Sequence, residues 1–319
     1  MACLNPLQGY HQIGGGLTFK KSSSNGSTLT VNCGQCLGCR MARSKEWAIR
    51  IMHEAKMHPE NCFLTLTYED APHSLNLKHF QNFMKRLRKQ YEPKKIRLFH
   101  CGEYGQIYKN PGDPTSDPIK HHAHPEKNAI GRAHYHAILF NHDFNDKQTY
   151  KQNRHEQTLY TSPTLEKLWG HGFATIGNVT QESAAYTARY ILKKTTGDIS
   201  HTYYTKIDEY GELHEIKPEY VTMSRGNNYK PGHPDKTYGI GHTWLQKYGE
   251  DIYAYDECVI DGKKHLSPVT TLNNLKNQTQ IVMKRSIINA LNKLRAINQK
   301  ILPSDSRLNA QSLQLKLNY

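Results

Sequence analysis

The stretch GRAHYHAILF, residues 131–140, is the part of the sequence that decides the predicted fold. Successive side chains of a β-strand point to opposite faces, so His134 and His136 share one face and Tyr135 occupies the other. The apolar run that follows, residues 137–140, is typical of a strand covered on both sides. Two neutral imidazoles side by side on a stiff strand supply half of a metal site, although a single His-x-His motif is more often an inert hydrogen-bonded pair.

The segments around this strand predict a mixture of helices and strands. Strands follow one another without regular crossover helices, which favours an α+β fold with an antiparallel-rich central sheet flanked by helices. Among the connections, 11–30 predicts a loop or hairpin, 106–131 a long loop, 141–162 a polar irregular segment and 198–262 a mixture of loops and strands. Periodicity predicts further strands over 62–68, 96–103 and 173–179, and helices over 42–57, 77–91, 163–169, 181–194 and 272–301.

The composition indicates a nucleic-acid partner. Lys plus Arg number 42 against 28 Asp plus Glu, which gives a formal net charge of +14. A chain this basic usually binds phosphate, either in nucleic acid or on an anionic membrane. No apolar run reaches the length of a membrane span, and the opening MACLNPLQGYHQ has neither the basic flank nor the apolar core of a signal peptide. We therefore expect a nucleic acid rather than a membrane as the partner, and a cytoplasm as the location.

The cysteines form a pattern that suits a metal. Their number, seven, is odd and no secretory signal is expected, so a disulfide framework is disfavoured. Cys33, Cys36 and Cys39 form a C-x₂-C-x₂-C pattern, and Cys3 lies near the start. Four thiolates could hold a structural zinc ion, and three closely spaced cysteines also suit an iron–sulfur cluster. Three reduced thiols in a loop are the remaining interpretation.

The helix predicted over QESAAYTARYILKK, residues 181–194, carries two tyrosines on one face. Tyr186 and Tyr190 are four residues apart, and at about 100° per residue Lys193 lies between them in angle. A phenol has a pKa of about 10 and is a poor nucleophile at neutral pH unless a cation or a polarised phosphate assists it. For two tyrosines at this spacing on any helix, packing against a sheet is the more common explanation.

A carboxylate ends the strand that precedes the histidine strand. In LFHCGEYG, residues 98–105, Glu103 reaches the face of His134 and His136 if the two strands pair. Two histidines and a carboxylate suit Mg²⁺ or Mn²⁺ better than a closed zinc site, and they leave positions open for a phosphate oxygen. The alternative is a solvated glutamate at a turn.

In this order the motifs form a known pattern. A carboxylate, then His-hydrophobe-His on a strand, then Tyr-x-x-x-Tyr with lysine on a helix resembles the HUH endonuclease superfamily, the initiators of rolling-circle replication. The resemblance extends over about residues 30–245, although the insertion between Glu103 and His134 is long. More specifically, the chain resembles the replication initiation proteins of gokushovirus-type microviruses. That resemblance rests on CGQCLGCR, R..EWAIR, FLTLTYED, CGEYG, R.HYHAILF, AYTARYILKK and SRG…YGIGHTWL.

This resemblance implies a mechanism. A divalent metal on the two histidines and the carboxylate polarises a phosphate in the origin strand of phage DNA. One tyrosine attacks and stays linked to the 5′ end, host polymerase extends the freed 3′ end, and the second tyrosine allows the strand to be closed into a circle. Lys193 assists, a host helicase separates the strands, and the site of action is the cytoplasm of the bacterial host. The implied organisation is a Cys-rich segment over 1–40 packed on the core, a nuclease domain over 41–262 and a polar helical tail over 263–319.

Two other classes of protein fit part of the sequence. A basic, non-catalytic protein that coats or packages single-stranded nucleic acid needs charge and aromatic residues, but neither the histidine pair nor the tyrosine pair. A zinc hydrolase or deaminase is disfavoured because the sequence has neither H-E-x-x-H nor H-x-E with a later P-C-x-x-C. The phosphate-loop motif GxxxxGK[ST] is also missing from the sequence, so we expect no built-in helicase.

Overall fold

A computed structural model describes residues 3–266 of the chain, apart from residues 15, 111–112, 114, 154–155, 209, 227–237, 256 and 261. The chain divides into two compact units, Met1–Lys247 and Tyr248–Tyr319. The expected helical tail over 263–319 falls almost wholly outside the described residues, as does the middle of the stretch 224–245.

The described residues form fourteen strands and six α-helices. The strands are β1 (Leu7–Gln12), β2 (Leu17–Thr18), β3 (Ser24–Val31), β4 (Asn61–Leu66), β5 (Arg97–Gln106), β6 (Ile130–Phe140), β7 (Gln148–Gln152), β8 (Thr158–Thr161), β9 (Ala174–Gly177), β10 (Thr205–Ile207), β11 (Leu213–Glu215), β12 (Tyr220–Met223), β13 (Glu257–Ile260) and β14 (Lys263–Leu266). The helices are α1 (Leu37–Ala55), α2 (Leu77–Gln90), α3 (Pro163–Trp169), α4 (Gln181–Lys193), α5 (Ser200–Tyr203) and α6 (His242–Tyr255).

Seven of these strands form the central sheet, in the order β12-β5-β6-β4-β9-β8-β7. Every described pairing in it is antiparallel, which confirms the predicted α+β class with an antiparallel central sheet. Three smaller antiparallel groups accompany it: β2-β1-β3 near the N-terminus, the pair β10-β11, and the hairpin β13-β14 of the second unit. None of the described helices has the length and apolar composition needed to cross a bilayer.

The two faces of β6 pack against different helices. Tyr135 is fully buried in the core that α2 and α3 complete, with its ring centroid 6.0 Å from Phe80 and 5.7 Å from Trp169. His136 points to the opposite face, where the ring of Tyr186 on α4 lies 5.0 Å away. Helix α1 packs along α4 on this second face. The histidine strand is therefore held between two helical layers, as its apolar run predicted.

Three elements differ from the sequence predictions. Helix α1 begins at Leu37 instead of residue 42, because Arg40 in its first turn is held by hydrogen bonds to α4. The stretch 141–162, predicted to be irregular, contains β7 and β8. These strands lie at the sheet edge and β7 is exposed along its whole length, so no apolar alternation marks it. Helix α6 was also missed within 198–262.

Candidate metal and tyrosine site

The pairing of β5 with β6 brings the predicted metal ligands together. In the antiparallel register Glu103 lies opposite His134, and Cys101 lies opposite His136. Because residues i and i+2 share a strand face, all three ligand side chains project to one side. The Glu103 Oε1 atom is 2.8 Å from His134 Nε2 and 3.0 Å from His136 Nε2. The long insertion between the strands therefore leaves their register intact.

The donor atoms fit an octahedral cation. Two adjacent ligands of Mg²⁺, each about 2.0–2.1 Å from the ion, are about 2.8–3.0 Å apart, because they subtend a right angle. The two distances from Glu103 Oε1 fall in this range. His134 Nδ1 lies 3.2 Å from the carbonyl oxygen of Arg132, which can only accept a hydrogen bond. The ring proton therefore sits on Nδ1, and in the neutral ring the Nε2 lone pair faces the carboxylate, as a metal ligand requires.

The carboxylate is buried and surrounded by nitrogen atoms. Burial would raise the pKa of Glu103, but hydrogen bonds from His134 and His136 outweigh that effect and hold the pKa well below its usual range. Lys193 Nζ lies 2.5 Å from Glu103 Oε2 and adds a positive charge. Burial also lowers the pKa of His136. At neutral pH the site thus offers an ionised carboxylate and a neutral imidazole, the forms that bind a metal.

Helix α4 begins next to the sheet because its N-terminus is capped. The Thr180 side chain accepts a hydrogen bond from the Ser183 backbone N–H, and the Ser183 hydroxyl accepts one from the Thr180 N–H, which is a capping box. Ala184 and Ala188 are fully buried and let the helix approach its neighbours closely. The cap proposed for Thr180 from the sequence is confirmed.

The two tyrosines of α4 lie on either side of the His136 ring and have different exposures. Tyr186 is 38% exposed, and its hydroxyl lies 3.4 Å from His136 Nε2. Tyr190 is 3% exposed and stacks on His136, with the ring centroids 5.5 Å apart. Burial and then the charge of Glu103 raise the pKa of Tyr186 to about 12. The same two causes raise the pKa of Tyr190 much further.

Lys193 links the helix to the metal ligands. Its ammonium pairs with Glu103 and also lies 4.6 Å from the centroid of the Tyr190 ring. The side chain is 41% exposed, so the cation also reaches solvent. A single positive charge is therefore in contact with the carboxylate and with one phenol ring.

One contact residue was missed in the sequence. Thr65 lies opposite His136 in the β4–β6 register, and its Oγ1 is 3.1 Å from His136 Nδ1. Partners of this kind orient a ligand ring and fix its tautomer. The available signal was weak: Thr65 stands on the alternating strand FLTLT, but the strand that it would face could not be known from periodicity.

A groove of about 410 Å³ opens beside the site. Lys127 lies along it, with Nζ 4.7 Å from the ring centroid of Tyr203. The charged residues that line the groove are Lys120, Lys127, Lys193, Glu126 and Glu219.

The four cysteines predicted as ligands also come together, away from the Glu103 carboxylate. Cys3, Cys33, Cys36 and Cys39 have all four Sγ atoms within 4.8 Å of one another. The other three cysteines are buried singly.

The fold and site define an α+β protein with a candidate divalent-metal site beside two phenols. A family model for the replication-associated protein ORF2 matches residues 61–114 and 106–195, which include all the residues of this site. The chain is 30% identical to the replication-associated protein ORF2 of Spiroplasma virus 4, over 83% of this chain and 76% of that relative. It therefore belongs to the family of replication-associated proteins found in microviruses.

Two further relatives carry the same description. The replication-associated protein VP4 of Bdellovibrio phage phiMH2K is 27% identical, over 82% of this chain and 72% of that relative. The replication-associated protein ORF4 of Chlamydia phage 1 is 29% identical, over 59% of this chain and 41% of the relative. No solved structure matches the chain.

Proposed function

We propose that this protein is a metal-dependent, site-specific DNA endonuclease and strand transferase of the HUH type, which starts rolling-circle replication of a single-stranded-DNA phage. The observation that carries the proposal is the convergence of His134, His136 and Glu103 within 3.0 Å, with the Tyr186 hydroxyl 3.4 Å from His136. Bound Mg²⁺ or Mn²⁺ supplies Lewis-acid polarisation of the scissile phosphate. The names of the relatives, replication-associated proteins of phages, agree with this role.

The proposed reaction exchanges one phosphodiester bond for another. The Tyr186 phenol loses its proton, its oxygen bonds to phosphorus, the P–O3′ bond breaks, and the departing 3′ oxygen gains a proton. The 5′ phosphate remains on the protein and the 3′ hydroxyl is free for extension. Because the number of phosphodiester bonds is unchanged, a 3′ hydroxyl can later attack the phosphotyrosine and rejoin the strand without an external energy source.

The difference in burial supports a division of labour between the tyrosines. Tyr186 is the exposed phenol, so we assign it the first cleavage. Tyr190 acts second, at the regenerated junction, and must first become accessible because its side chain is buried. Lys193 stands beside both rings through Glu103 and the Tyr190 face, and its charge supports either attack by stabilising the phosphate.

Charge and shape support single-stranded DNA as the substrate. The net charge of +14 favours binding to a phosphate backbone. The groove beside Lys193 offers Lys120 and Lys127 to phosphates and the Tyr203 ring to bases. We further propose that host polymerase and helicase act on the nicked origin, and that the reaction takes place in the cytoplasm of the bacterial host.

The test is incubation with single-stranded oligonucleotides tiled across the phage origin, in Mn²⁺ or Mg²⁺. A covalent protein–DNA adduct on a denaturing gel, lost on chelation of the metal, supports the proposal. The competing function, a non-catalytic protein that coats or packages nucleic acid, predicts binding to the same oligonucleotides with no cleavage and no adduct under any metal. That second result would reject the nuclease assignment.

A further inference from the structure

The four-cysteine cluster has the dimensions of a tetrahedral metal site. Four thiolates about 2.3 Å from one zinc ion are about 3.8 Å from each other, because they occupy the corners of a tetrahedron. The separations in the cluster are 3.6 Å from Cys3 to Cys33, 3.8 Å from Cys3 to Cys36, and 4.0 Å from Cys33 to Cys39. A disulfide would need about 2.05 Å.

The same spacing selects a single ion over an iron–sulfur cluster. Such a cluster places at least two irons and their bridging sulfides between the thiolates, whereas these four sulfur atoms lie within 4.8 Å of one another. The backbone is arranged for thiolates as well. The amides of Leu4, Cys33 and Cys36 each donate to a cysteine sulfur at 3.3 Å, onto Cys36, Cys3 and Cys33 respectively. These donors stabilise negative charge on sulfur.

The cluster is adjacent in sequence to the residue that holds the end of α4. Cys36 is the N-cap of α1 and Cys39 lies in its first turn. The next residue, Arg40, donates from Nη2 to the carbonyl oxygen of Leu192, and to that of Lys194 at 2.9 Å. A guanidinium at a helix C-terminus satisfies carbonyl groups that have no partner within the helix and complements the helix dipole.

We propose that Cys3, Cys33, Cys36 and Cys39 bind one zinc ion, and that this zinc site positions the C-terminal end of α4 through Arg40. Lys193 lies between the two carbonyl groups that Arg40 holds, so the contact fixes the backbone from which Lys193 reaches Glu103. Arg40 is a positioning residue because it acts through Lys193. The consequence for catalysis rests on the proposed nuclease function, whereas zinc binding and the order of α4 do not.

Metal content tests the first half. Elemental analysis of the full-length protein, purified without chelator, should give about one zinc per chain, and Cys36→Ser should lose it. Cys258→Ser, the same change at a buried cysteine outside the cluster, should keep it. Where Cys36→Ser does not fold, titration of the wild-type protein with an organomercurial should release all the zinc once about four thiols have reacted. Iron instead of zinc, no metal in folded protein, or full zinc in Cys36→Ser would overturn the assignment.

Hydrogen exchange tests the second half without any DNA. Arg40→Gln should keep its zinc but exchange the amides of the last turn of α4 about tenfold faster, as expected for loss of a charge-assisted hydrogen bond. Cys36→Ser should show the same change. Arg40→Lys, which keeps a cationic donor, should restore part of the protection. Lys45→Gln, an exposed charge removal on the same helix, is the control and should leave α4 unchanged.

Kinetics then separate this proposal from the nuclease assignment. If the protein nicks DNA, Arg40→Gln should lower kcat about tenfold at nearly constant KM, because Lys193 is misplaced while DNA binding is spread over many cations. Faster exchange in α4 without any nicking by the wild-type protein would reject the proposed function and retain the zinc linkage. Unchanged exchange in both Arg40→Gln and Cys36→Ser would overturn the linkage itself.

Discussion

Replacing Tyr186 with phenylalanine tests whether burial assigns the two phenols different tasks. The change removes one hydroxyl and leaves the packing intact. In the variant only Tyr190 can attack, and its side chain, 3% exposed, must first leave its buried position. Exposing about 150 Å² of aromatic surface at about 25 cal/mol per Å² costs about 4 kcal/mol. Since about 1.4 kcal/mol corresponds to a factor of ten in rate, the first cleavage should slow about 10³-fold.

The assay is single-turnover cleavage of a short single-stranded origin oligonucleotide in Mn²⁺, with the covalent adduct measured on a denaturing gel. Tyr190→Phe should cleave within a few-fold of the wild-type rate but fail to produce a closed circle in a complete replication reaction. The double variant should form no adduct. Tyr210→Phe, a change at a tyrosine that is 83% exposed, is the control and should behave as wild type.

Two results would refute this reasoning. If Tyr190→Phe slows the first cleavage more than Tyr186→Phe does, burial in the free protein does not determine the order of attack. If the double variant still becomes attached to DNA, the nucleophile is another residue and the assignment of α4 is wrong.

Three further predictions concern the metal, the lysine and pH. His134→Ala should abolish nicking while DNA affinity, measured by fluorescence anisotropy, stays within a few-fold, because binding is spread over many cations; normal nicking would place the metal elsewhere. Lys193→Ala should slow cleavage by Tyr186 and strand closure by similar factors, and a selective effect in rate assays of the two steps would contradict its shared role. Burial lowers the pKa of His100 to about 3, so the unfolded chain protonates first as pH falls below about 6.5. The free energy of unfolding should therefore drop about 3 kcal/mol less between pH 7.5 and 4.5 in His100→Phe than in wild type, by urea denaturation, with exposed His122→Phe unchanged.

Local features of the site followed from local sequence. The two-residue period of a strand placed His134 and His136 on one face, and the helical period placed Tyr186 and Tyr190 on one helix. Thr180 marked the start of that helix correctly, because a side-chain cap acts within three residues of itself. The limits of α1 were predicted less well, because its first turn is stabilised by Arg40 contacting a helix about 150 residues away in the chain.

Contacts distant in sequence were open until the fold was known. Thr65 contacts His136 across 71 positions, and no pattern within either strand names its partner. The register of β5 against β6 had the same status, because a slip of one residue would turn Glu103 to the opposite face.

By itself, the sequence determined the chemistry that is available: an α+β chain of high positive charge, imidazoles paired on a strand, phenols paired on a helix, and cysteines at metal spacing. Only the tertiary structure decided which of these groups meet. The β5–β6 register brings Glu103 to the two histidines, and the packing of α4 leaves Tyr186 exposed but buries Tyr190. The physical reason is that periodicity sets the direction of a side chain relative to its own element, whereas distance and burial depend on the elements that pack against it.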